Sequence, residues 1–368
     1  MVPPSLPPRS LEWKGESMRL SRWFSTLFSG RSLKALVLLA FFAALAPLLQ
    51  DSHSPGTSPC GTAPALCGIV TAAPMDEAEG IEVSRGEKTL NLTSDGRELL
   101  TYRYRPGPYK AYVKTLRTPS GVNVLLDSPH DHTHHHALMY ALQVGDTSFW
   151  HEFEDRDPGT QKHDSLKPME DASGFTHKLD WVSADGELLA EERRTVRVLR
   201  EVDGDARLLH WRTRLALPVG TESATLTGHH YYGLGMRFVR SMDGKCKFFN
   251  PTGKPGKVFR GDERLVRADW CACTGKIDGH PVSVAIFDHP DNPRHPATWF
   301  TMAKPFAYLA ATLNLHEEPM ELQQDRPLDV AYGVALWDGK VTADEVQKTY
   351  RNWLEQIEKM AQSSKASD

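Results

Sequence analysis

The chain has 368 residues, of which 40% are hydrophobic and 24% are charged, so it can bury a substantial core and lacks the composition of a disordered protein. Its 43 basic and 47 acidic residues leave a net charge of −4, which argues against a nucleic-acid partner. The 25 prolines and 27 glycines are spread between short apolar runs, a pattern that favours many strands joined by turns.

Residues 1–50 differ in composition from the rest of the chain. An uncharged apolar run covers residues 35–49. It follows four basic residues, Arg19, Arg22, Arg31 and Lys34. Because a membrane-spanning helix needs roughly twenty apolar residues, this shorter run predicts a secretory signal and a periplasmic or secreted protein. The alternative is a protein anchored to the membrane by an uncleaved helix over residues 35–49.

A Ser/Pro/Gly-rich linker is predicted over residues 51–75, followed by a single domain over 76–368. The cysteines are odd in number, so at least one has no partner within the chain. They are Cys60, Cys67, Cys246, Cys271 and Cys273. The close pair Cys271 and Cys273 fits either a metal ligand pair or two buried thiols on one strand face.

Five of the sixteen histidines lie in residues 129–136, after a predicted strand over 122–126. Their imidazoles and the Asp131 carboxylate offer metal ligation, proton transfer near neutral pH, or hydrogen bonds to a polyhydroxylated ligand. In an extended segment His130, His132, His134 and His136 would share one face, whereas Pro129 is equally consistent with a loop. We predict a functional site here, with a solvated turn as the structural alternative.

The central part of the chain has the period-two pattern of antiparallel strands. Alternation over residues 188–200 and 209–217, with a turn at Gly204 and Asp205, predicts a hairpin, and residues 328–337 repeat the pattern. A capping box at Thr342 and Glu345 begins a predicted C-terminal helix over residues 342–361. Because no strand–helix alternation occurs in between, we predict an all-β fold, a large antiparallel β-sandwich of the supersandwich type with one C-terminal helix.

Three further polar clusters supply candidate site residues. Strand alternation would send His229 and His230 to opposite faces, with Arg237 downstream as a substrate clamp. A proline-rich loop over residues 287–296 displays His289, Asn292 and Arg294. At a strand end, Glu317 or Glu318 could act as a general base, although adjacent acids at such positions are usually solvated.

Four motifs together resemble a bacterial domain of unknown function labelled PmoA-like, or methane-oxygenase-like. They are Arg117-Thr-Pro-Ser-Gly, the Asp127-Ser-Pro-x-Asp-His-Thr-His-His-His run, the His289-Pro-x-Asn-Pro-Arg loop, and the Tyr-Gly-Val strand that ends in Asp338-Gly339. The resemblance covers roughly residues 80 to 355. Methane monooxygenase subunits cross the membrane several times, whereas this chain has one apolar run, so the resemblance implies a family and not that reaction. By analogy it implies a carbohydrate role.

The chain also resembles the aldose 1-epimerases, or galactose mutarotases. The resemblance lies in His229-His230-Tyr231 and in Glu317 or Glu318. It implies a large sandwich in which a carboxylate deprotonates an anomeric hydroxyl while an imidazolium protonates the ring oxygen. The dense histidine run exceeds what mutarotation requires.

The favoured hypothesis is an exported enzyme that acts on a sugar or glycoside by acid–base chemistry, as an epimerase, lyase or hydrolase. Its candidate catalytic residues are His134, His136, His229, His230, Glu317 and Glu318. Its candidate substrate-binding residues are Arg117, Asp131, His132, Arg237, His289, Asn292 and Arg294. No cofactor is predicted.

Two alternatives remain open at the level of sequence. One is a non-catalytic carbohydrate-binding or envelope protein that presents aromatic and imidazole rings. The other is a metalloprotein in which His132, His134 and His136 bind zinc or copper. All three hypotheses depend on whether the separate clusters meet in space.

Overall fold

The computed structural model describes residues 80–105, 109–199 and 206–367. The predicted leader, the apolar run over 35–49 and the linker cysteines lie outside these residues. Within the described ranges, no helix has the length and apolar character needed to span a membrane. The predictions about export and anchoring therefore rest on sequence alone.

The described chain is built almost entirely from strands. In chain order these are β1 Ile81–Arg85, β2 Thr89–Ser94, β3 Arg97–Arg103, β4 Tyr112–Leu116, β5 Leu138–Ala141, β6 Gln143–Val144, β7 Thr147–Ser148, β8 Thr160–Pro168, β9 Gly174–Val182, β10 Leu188–Leu199, β11 Ala206–Ala216, β12 Ser223–Thr227, β13 Gly233–Arg237, β14 Lys247–Phe249, β15 Lys257–Val258, β16 Arg264–Arg267, β17 Trp270–Ile277, β18 His280–Asp288, β19 Thr298–Met302, β20 Tyr308–Thr312, β21 Met320–Gln323 and β22 Leu328–Asp338. Short 3₁₀ helices cover Glu154–Arg156 and Arg240–Met242, and helix α1 covers Ala343–Ser367.

These strands form three antiparallel sheets. The largest has the order β1-β2-β3-β4-β5-β13-β20-β19-β16-β15, and the second has the order β14-β17-β18-β22-β11-β10-β9-β8. A smaller sheet has the order β21-β12-β6-β7. Every described strand pair is antiparallel, including the predicted β10–β11 hairpin. The all-β prediction is confirmed.

One hydrophobic core joins the two large sheets. Tyr102 of β3 contacts Phe175 of β9, with ring centroids 4.5 Å apart. Trp211 of β11 and Val334 of β22 are fully buried in the same core. Burying one such side chain stabilises a fold by about 1.5–3 kcal/mol, so this interface provides most of the stability of the sandwich.

Helix α1 covers the outer face of the eight-stranded sheet. Its predicted capping box is present, because the Thr342 backbone N–H donates to the Glu345 carboxylate at 2.6 Å and the Glu345 backbone N–H donates to Thr342 Oγ1 at 3.3 Å. Tyr350 and Trp353 pack on Phe287 in a second core. The helix continues past the predicted end at residue 361 to Ser367.

The helix explains a departure from the simple alternation of β11. His210 occupies an outward position of this strand but is buried, with its ring 6.0 Å from that of Trp353. Alternation identified the inner face of β11, whereas burial of the outer face depends on the helix that packs there.

The segment 122–126 does not form the predicted strand. It makes only isolated bridges, Arg117 with Asn123 and Leu125 with Phe238. The Asn123 side chain accepts from the Leu116 backbone at 3.1 Å and donates to the Leu125 carbonyl at 2.9 Å. The backbone N–H of Val124 donates to Leu116 at 3.1 Å and that of Leu126 to Arg237 at 2.9 Å, so the segment divides its bonds between two neighbours and forms no continuous ladder.

The three cysteines in the described part of the chain are free and buried. Cys271 and Cys273 lie in β17, and burial raises the pKa of both thiols. Their surroundings fit the structural interpretation of this pair, two thiols packed in the core.

Candidate functional site

The histidine-rich segment is a compact loop. Asp127 and His136 form a bridge that closes it, and the Ser128 backbone N–H donates to the His135 carbonyl at 2.9 Å. The rings of His132 and His134 lie 5.8 Å apart. The loop interpretation is therefore correct, and the extended one-face arrangement does not occur.

A second segment, after β7, brings an imidazole against this loop. The His151 ring lies 5.9 Å from that of His134 and 5.8 Å from that of His229. His229 itself lies in a turn, because the Tyr232 backbone N–H donates to the His229 carbonyl at 3.0 Å. His229 and His230 therefore lie in a turn and not in the predicted strand. The strand alternation that would send them to opposite faces does not apply.

Tyr231 links His229 to a third group of rings. Its ring lies 5.6 Å from that of His229 and 5.0 Å from that of His230. The His230 ring lies 5.7 Å from that of His316, and its Nε2 is 3.1 Å from Glu263. We call His132, His134, His151, His229, His230 and His316 the histidine cluster.

A buried charged network lies beside the histidine cluster. The Lys110 ammonium donates to the Glu152 carboxylate at 2.5 Å, and this lysine side chain is fully buried. His136 lies between two acids, with Nδ1 3.0 Å from Asp127 and Nε2 3.0 Å from Glu152. Tyr112 stacks on His136, with ring centroids 4.4 Å apart. We call Lys110, Asp127, His136 and Glu152 the Glu152 network.

The groups of the Glu152 network shift one another's pKa values. Burial alone would raise the pKa of Glu152, but the hydrogen bond from His136 and the charge of Lys110 outweigh it and lower the pKa. Burial alone would lower the pKa of His136, but the hydrogen bonds to Asp127 and Glu152 outweigh it and raise the pKa. Burial lowers the pKa of Lys110 against the opposing charge of Glu152. The network therefore favours the carboxylate form of Glu152 and the protonated form of His136.

Three imidazoles of the histidine cluster, those of His134, His151 and His230, have pKa values that are shifted the other way. Burial and the nearby charge of Lys110 lower the pKa of His134 to about 4, and burial and His229 lower that of His151 to about 4. Burial, against the opposing effect of Glu263, lowers the pKa of His230 to about 4. These rings are neutral at pH 7 and can each donate and accept one hydrogen bond.

Three buried ring nitrogens of the histidine cluster have no hydrogen-bond partner within the described residues. They are His134 Nδ1 and both nitrogens of His316. An unpaired buried nitrogen costs free energy, which a bound polar group can recover. The histidine cluster is thus prepared for a ligand with hydroxyl groups.

Some predicted substrate-binding residues lie elsewhere. Arg117 pairs with Glu98 at 3.2 Å, away from the histidine cluster. Arg237 is buried, pairs with Asp243 at 3.1 Å and lies over the Phe306 ring. The charge of Arg237 is paired inside the protein. Arg237 therefore packs beneath the histidine loop and is not a substrate clamp.

Asp131 is at the outer edge of the histidine loop. Its carboxylate pairs with Arg240 at 3.1 Å and lies 3.3 Å from His132 Nδ1. The Asp131 side chain is 36% exposed, so a ligand can contact it from the solvent side of the histidine loop.

The proline-rich loop after β18 has a structural role in this fold. Asn292 donates to Asp288 at 2.7 Å and to the Ala331 carbonyl at 2.8 Å, and His289 packs near Trp353 of helix α1. Neither residue joins the histidine cluster. The prolines shape this loop for contacts with the fold and the helix.

Arg294 acts on the turn that carries His316. Its guanidinium donates to the carbonyls of Leu313 at 2.8 Å, Glu318 at 2.6 Å and Pro319 at 3.1 Å. These bonds hold the ends of the 313–319 turn together. Arg294 therefore positions His316 instead of clamping a substrate.

The predicted acids Glu317 and Glu318 lie on the same turn but face solvent. Their side chains are 66% and 77% exposed. Glu317 Oε1 is 3.8 Å from His316 Nε2, at the rim of the histidine cluster. The buried carboxylates that contact histidines near the cluster belong to Glu152 and Glu263.

The predicted metal arrangement of His132, His134 and His136 does not form. Both ring nitrogens of His136 bind carboxylates, so neither is available as a ligand. Across residues 80–105, 109–199 and 206–367, no three histidine, cysteine or acidic side chains are grouped to hold a metal ion.

Sequence reasoning missed Lys110, His151, Glu152 and Glu263. A weak signal for two of them exists, because His151 and Glu152 interrupt a run of aromatic residues from Phe149 to Phe153. Lys110 is a single charge in ordinary surroundings, and Glu263 lies in the charged run Arg260-Gly-Asp-Glu-Arg264, which is typical of a solvated turn. Only the fold brings these residues to the histidines.

The fold and the site define an all-β sandwich with a histidine cluster at loops of the ten-stranded sheet. The chain belongs to a family of unknown function, DUF6807, whose family model matches residues 89–351. This agrees with the predicted domain of unknown function, whereas the methane-oxygenase-like name stays a prediction. No curated protein matches the chain.

Solved structures give only distant likenesses. The GH36 α-galactosidase AgaB from Geobacillus stearothermophilus is 9% identical, with a TM-score of 0.42, over 70% of this chain and 41% of that enzyme. The 4-α-glucanotransferase from Thermococcus litoralis is 13% identical, with a TM-score of 0.30, over 70% of this chain and 39% of that one. YeaD from Salmonella typhimurium, described as a putative mutarotase, is 9% identical, with a TM-score of 0.29, over 71% of this chain and 95% of that one. The chain spans about two fifths of the first enzyme, and none of these likenesses establishes an activity.

Proposed function

We propose that this protein is a carbohydrate-active enzyme that uses acid–base chemistry at the histidine cluster. One observation carries the proposal: imidazoles from the 129–136 loop, the 148–153 segment, the 229–232 turn and the 313–319 turn lie together beside the Glu152 network. Sugars combine hydroxyl groups with apolar ring faces, and the cluster offers neutral nitrogens among aromatic rings.

Glu152 is the group best suited to move a proton. Its lowered pKa favours the carboxylate, which is held between Lys110 and His136, so its position is fixed before a ligand binds. Glu152 takes a proton from a sugar hydroxyl or C–H, and the carboxylic acid that forms gives this proton back to the sugar in the second half of the reaction. An acid and a base with opposite pKa shifts in one site are typical of acid–base catalysis.

The neutral histidines orient the sugar in this proposal. His134 and His151 lie closest to the charged network, since the charge of Lys110 acts on the pKa of both. His229 is the most exposed of these histidines, so a ligand that arrives from solvent meets it first. Their nitrogens bind hydroxyl groups and leave proton transfer to Glu152.

Export to the periplasm or the exterior remains part of the proposal. Its support is the basic segment and the apolar run over residues 35–49. The alternative, a protein anchored through that run, has the same support.

The substitution Glu152→Gln tests the catalytic assignment. Proton NMR of a panel of pyranoses and glycosides detects anomer exchange, epimerisation, elimination and hydrolysis. We expect the wild type to convert at least one compound, and Glu152→Gln to lose at least about 100-fold in rate because the amide cannot accept the proton. The exposed variant Glu191→Gln on β10 is the matched control and should keep full activity.

The same assay separates the competing assignments. If Glu152→Gln kept full activity and Glu317→Gln lost activity, the general base would be Glu317, one of the two residues favoured by sequence. Sugar binding without turnover in the wild type would contradict the enzyme and support the carbohydrate-binding alternative.

A further inference from the structure

Two exposed phenylalanines flank the histidine cluster. Phe153 is 39% exposed and Phe259 is 46% exposed, and among the described residues they are the only aromatic side chains in this exposed class. The Phe153 ring lies at 29° to that of His151, with centroids 5.6 Å apart. The Phe259 ring lies at 28° to that of His230, with centroids 3.8 Å apart. Each is therefore stacked on a different member of the histidine cluster.

An arginine accompanies each phenylalanine. The Arg156 guanidinium lies 5.4 Å from the Phe153 ring centroid. Arg260 follows Phe259 directly, is 73% exposed and binds Glu263 at 2.7 Å. Both arginines act on His229, because burial and the charges of His316, Arg156 and Arg260 lower the pKa of that imidazole. Ring contacts place His229 between the two phenylalanine–arginine pairs, since it neighbours His151 on the Phe153 side and Tyr231 on the Phe259 side.

Among the described residues, the two phenylalanines are connected only through intervening rings. Contacts run from Phe153 to His151, then to His229, Tyr231, His230 and finally Phe259. Within the described chain no direct ring contact joins the two phenylalanines. A single sugar ring is comparable in size to one aromatic ring, so one monosaccharide cannot cover both.

We propose that the site takes a glycoside of two or more sugar units, with one unit on Phe153 and Arg156 and another on Phe259 and Arg260. This inference rests on the proposed carbohydrate function and names its substrate class. Aromatic rings bind the apolar faces of sugars, and the guanidinium N–H groups that remain free bind their hydroxyls. The glycosidic linkage then lies near His229, between the two ends.

Binding measurements on matched saccharides test the inference. Isothermal titration calorimetry would compare glucose, galactose, mannose and xylose with di- and trisaccharides of each, using wild type, Phe153→Ala and Phe259→Ala. We expect an oligosaccharide to bind best, and each variant to lose roughly tenfold in affinity for it but less than twofold for the constituent monosaccharide.

Control variants separate stacking from folding. Val219 is 96% exposed on a distant turn, so Val219→Ala should leave binding unchanged. Phe259→Tyr keeps the ring and should retain wild-type affinity. Urea midpoints of all variants would confirm that the fold is kept.

The outcomes distinguish this inference from the proposed function. Equal losses on mono- and oligosaccharides, or a monosaccharide as the tightest ligand, would overturn the two-unit site and leave the sugar function intact. A wild type that binds no saccharide in the panel would overturn both.

Discussion

Replacing Arg194 by methionine is expected to destabilise the protein by about 3–5 kcal/mol, because the change leaves a buried carboxylate without its cation. Arg194 and Glu192 are fully buried between the sheets, and the guanidinium donates to this carboxylate at 2.7 and 2.8 Å. It also donates to the Ala111 carbonyl at 2.7 Å and to Tyr102 Oη at 3.2 Å. Methionine fills a similar volume but makes none of these bonds.

Urea unfolding at pH 7 measures this effect. The neighbouring Arg193 is exposed on β10, so Arg193→Met is the matched control and should change stability by less than about 0.5 kcal/mol. The double variant Glu192→Gln with Arg194→Met should recover part of the loss, since it removes the unpaired charge. A loss below about 1 kcal/mol in Arg194→Met would show that the network contributes little.

The second large effect is a loss of stability in mild acid. Burial, with the charge of Arg194 second, lowers the pKa of His177 to about 2, and burial, with the charge of Arg212 second, lowers that of His210 to about 3. These histidines stay neutral in the folded protein while they become protonated in the unfolded chain near pH 6.5. Their contribution is complete above pH 6.5 and is lost as the pH falls toward the folded pKa values.

The magnitude follows from proton linkage. Each proton bound only by the unfolded chain lowers stability by about 1.4 kcal/mol per pH unit, so two such histidines lower it by on the order of 5 kcal/mol between pH 6 and pH 4. The lowered pKa of Glu152 acts in the same direction at lower pH. His136, whose pKa is raised, acts in the opposite direction and loses its contribution as the pH rises. Stability should therefore be greatest near neutral pH.

Urea unfolding at half-unit steps from pH 7 to pH 4 measures the slope. His210→Phe removes one titrating group and keeps the contact with Trp353, so its slope should be shallower by about one proton. His280 is exposed on β18, so His280→Gln serves as the surface control. An unchanged slope in His210→Phe would contradict the buried neutral state of this residue.

Three of the long strands were predictable because burial on one face imposes a period of two. The β10–β11 hairpin and β22 follow this pattern. The start of α1 was predictable because Thr342 and Glu345 satisfy the first backbone N–H groups locally. The strand predicted over 122–126 is absent because this segment divides its backbone hydrogen bonds between two neighbouring segments, which no periodic pattern indicates.

The candidate site was predictable only in part. The dense histidine loop and the His229-His230 pair were visible as unusual local composition, and the fold brings them together through His151. The sequence assigned the general base to Glu317 or Glu318 because two adjacent carboxylates stand at a predicted strand end. In the structure these acids face solvent while Glu152 contacts His136 and Lys110, and for this reason we propose Glu152 as the base.

The sequence by itself determined the strand-rich class, the C-terminal helix and the histidine loop, since these depend on periodicity, capping and composition among near neighbours in the chain. Only the tertiary structure decided which residues meet. It sets Lys110 beside Glu152, 42 positions away, and His230 beside Glu263, 33 positions away. Contacts between distant segments depend on sheet order and loop path, and a single sequence contains no local signal for either.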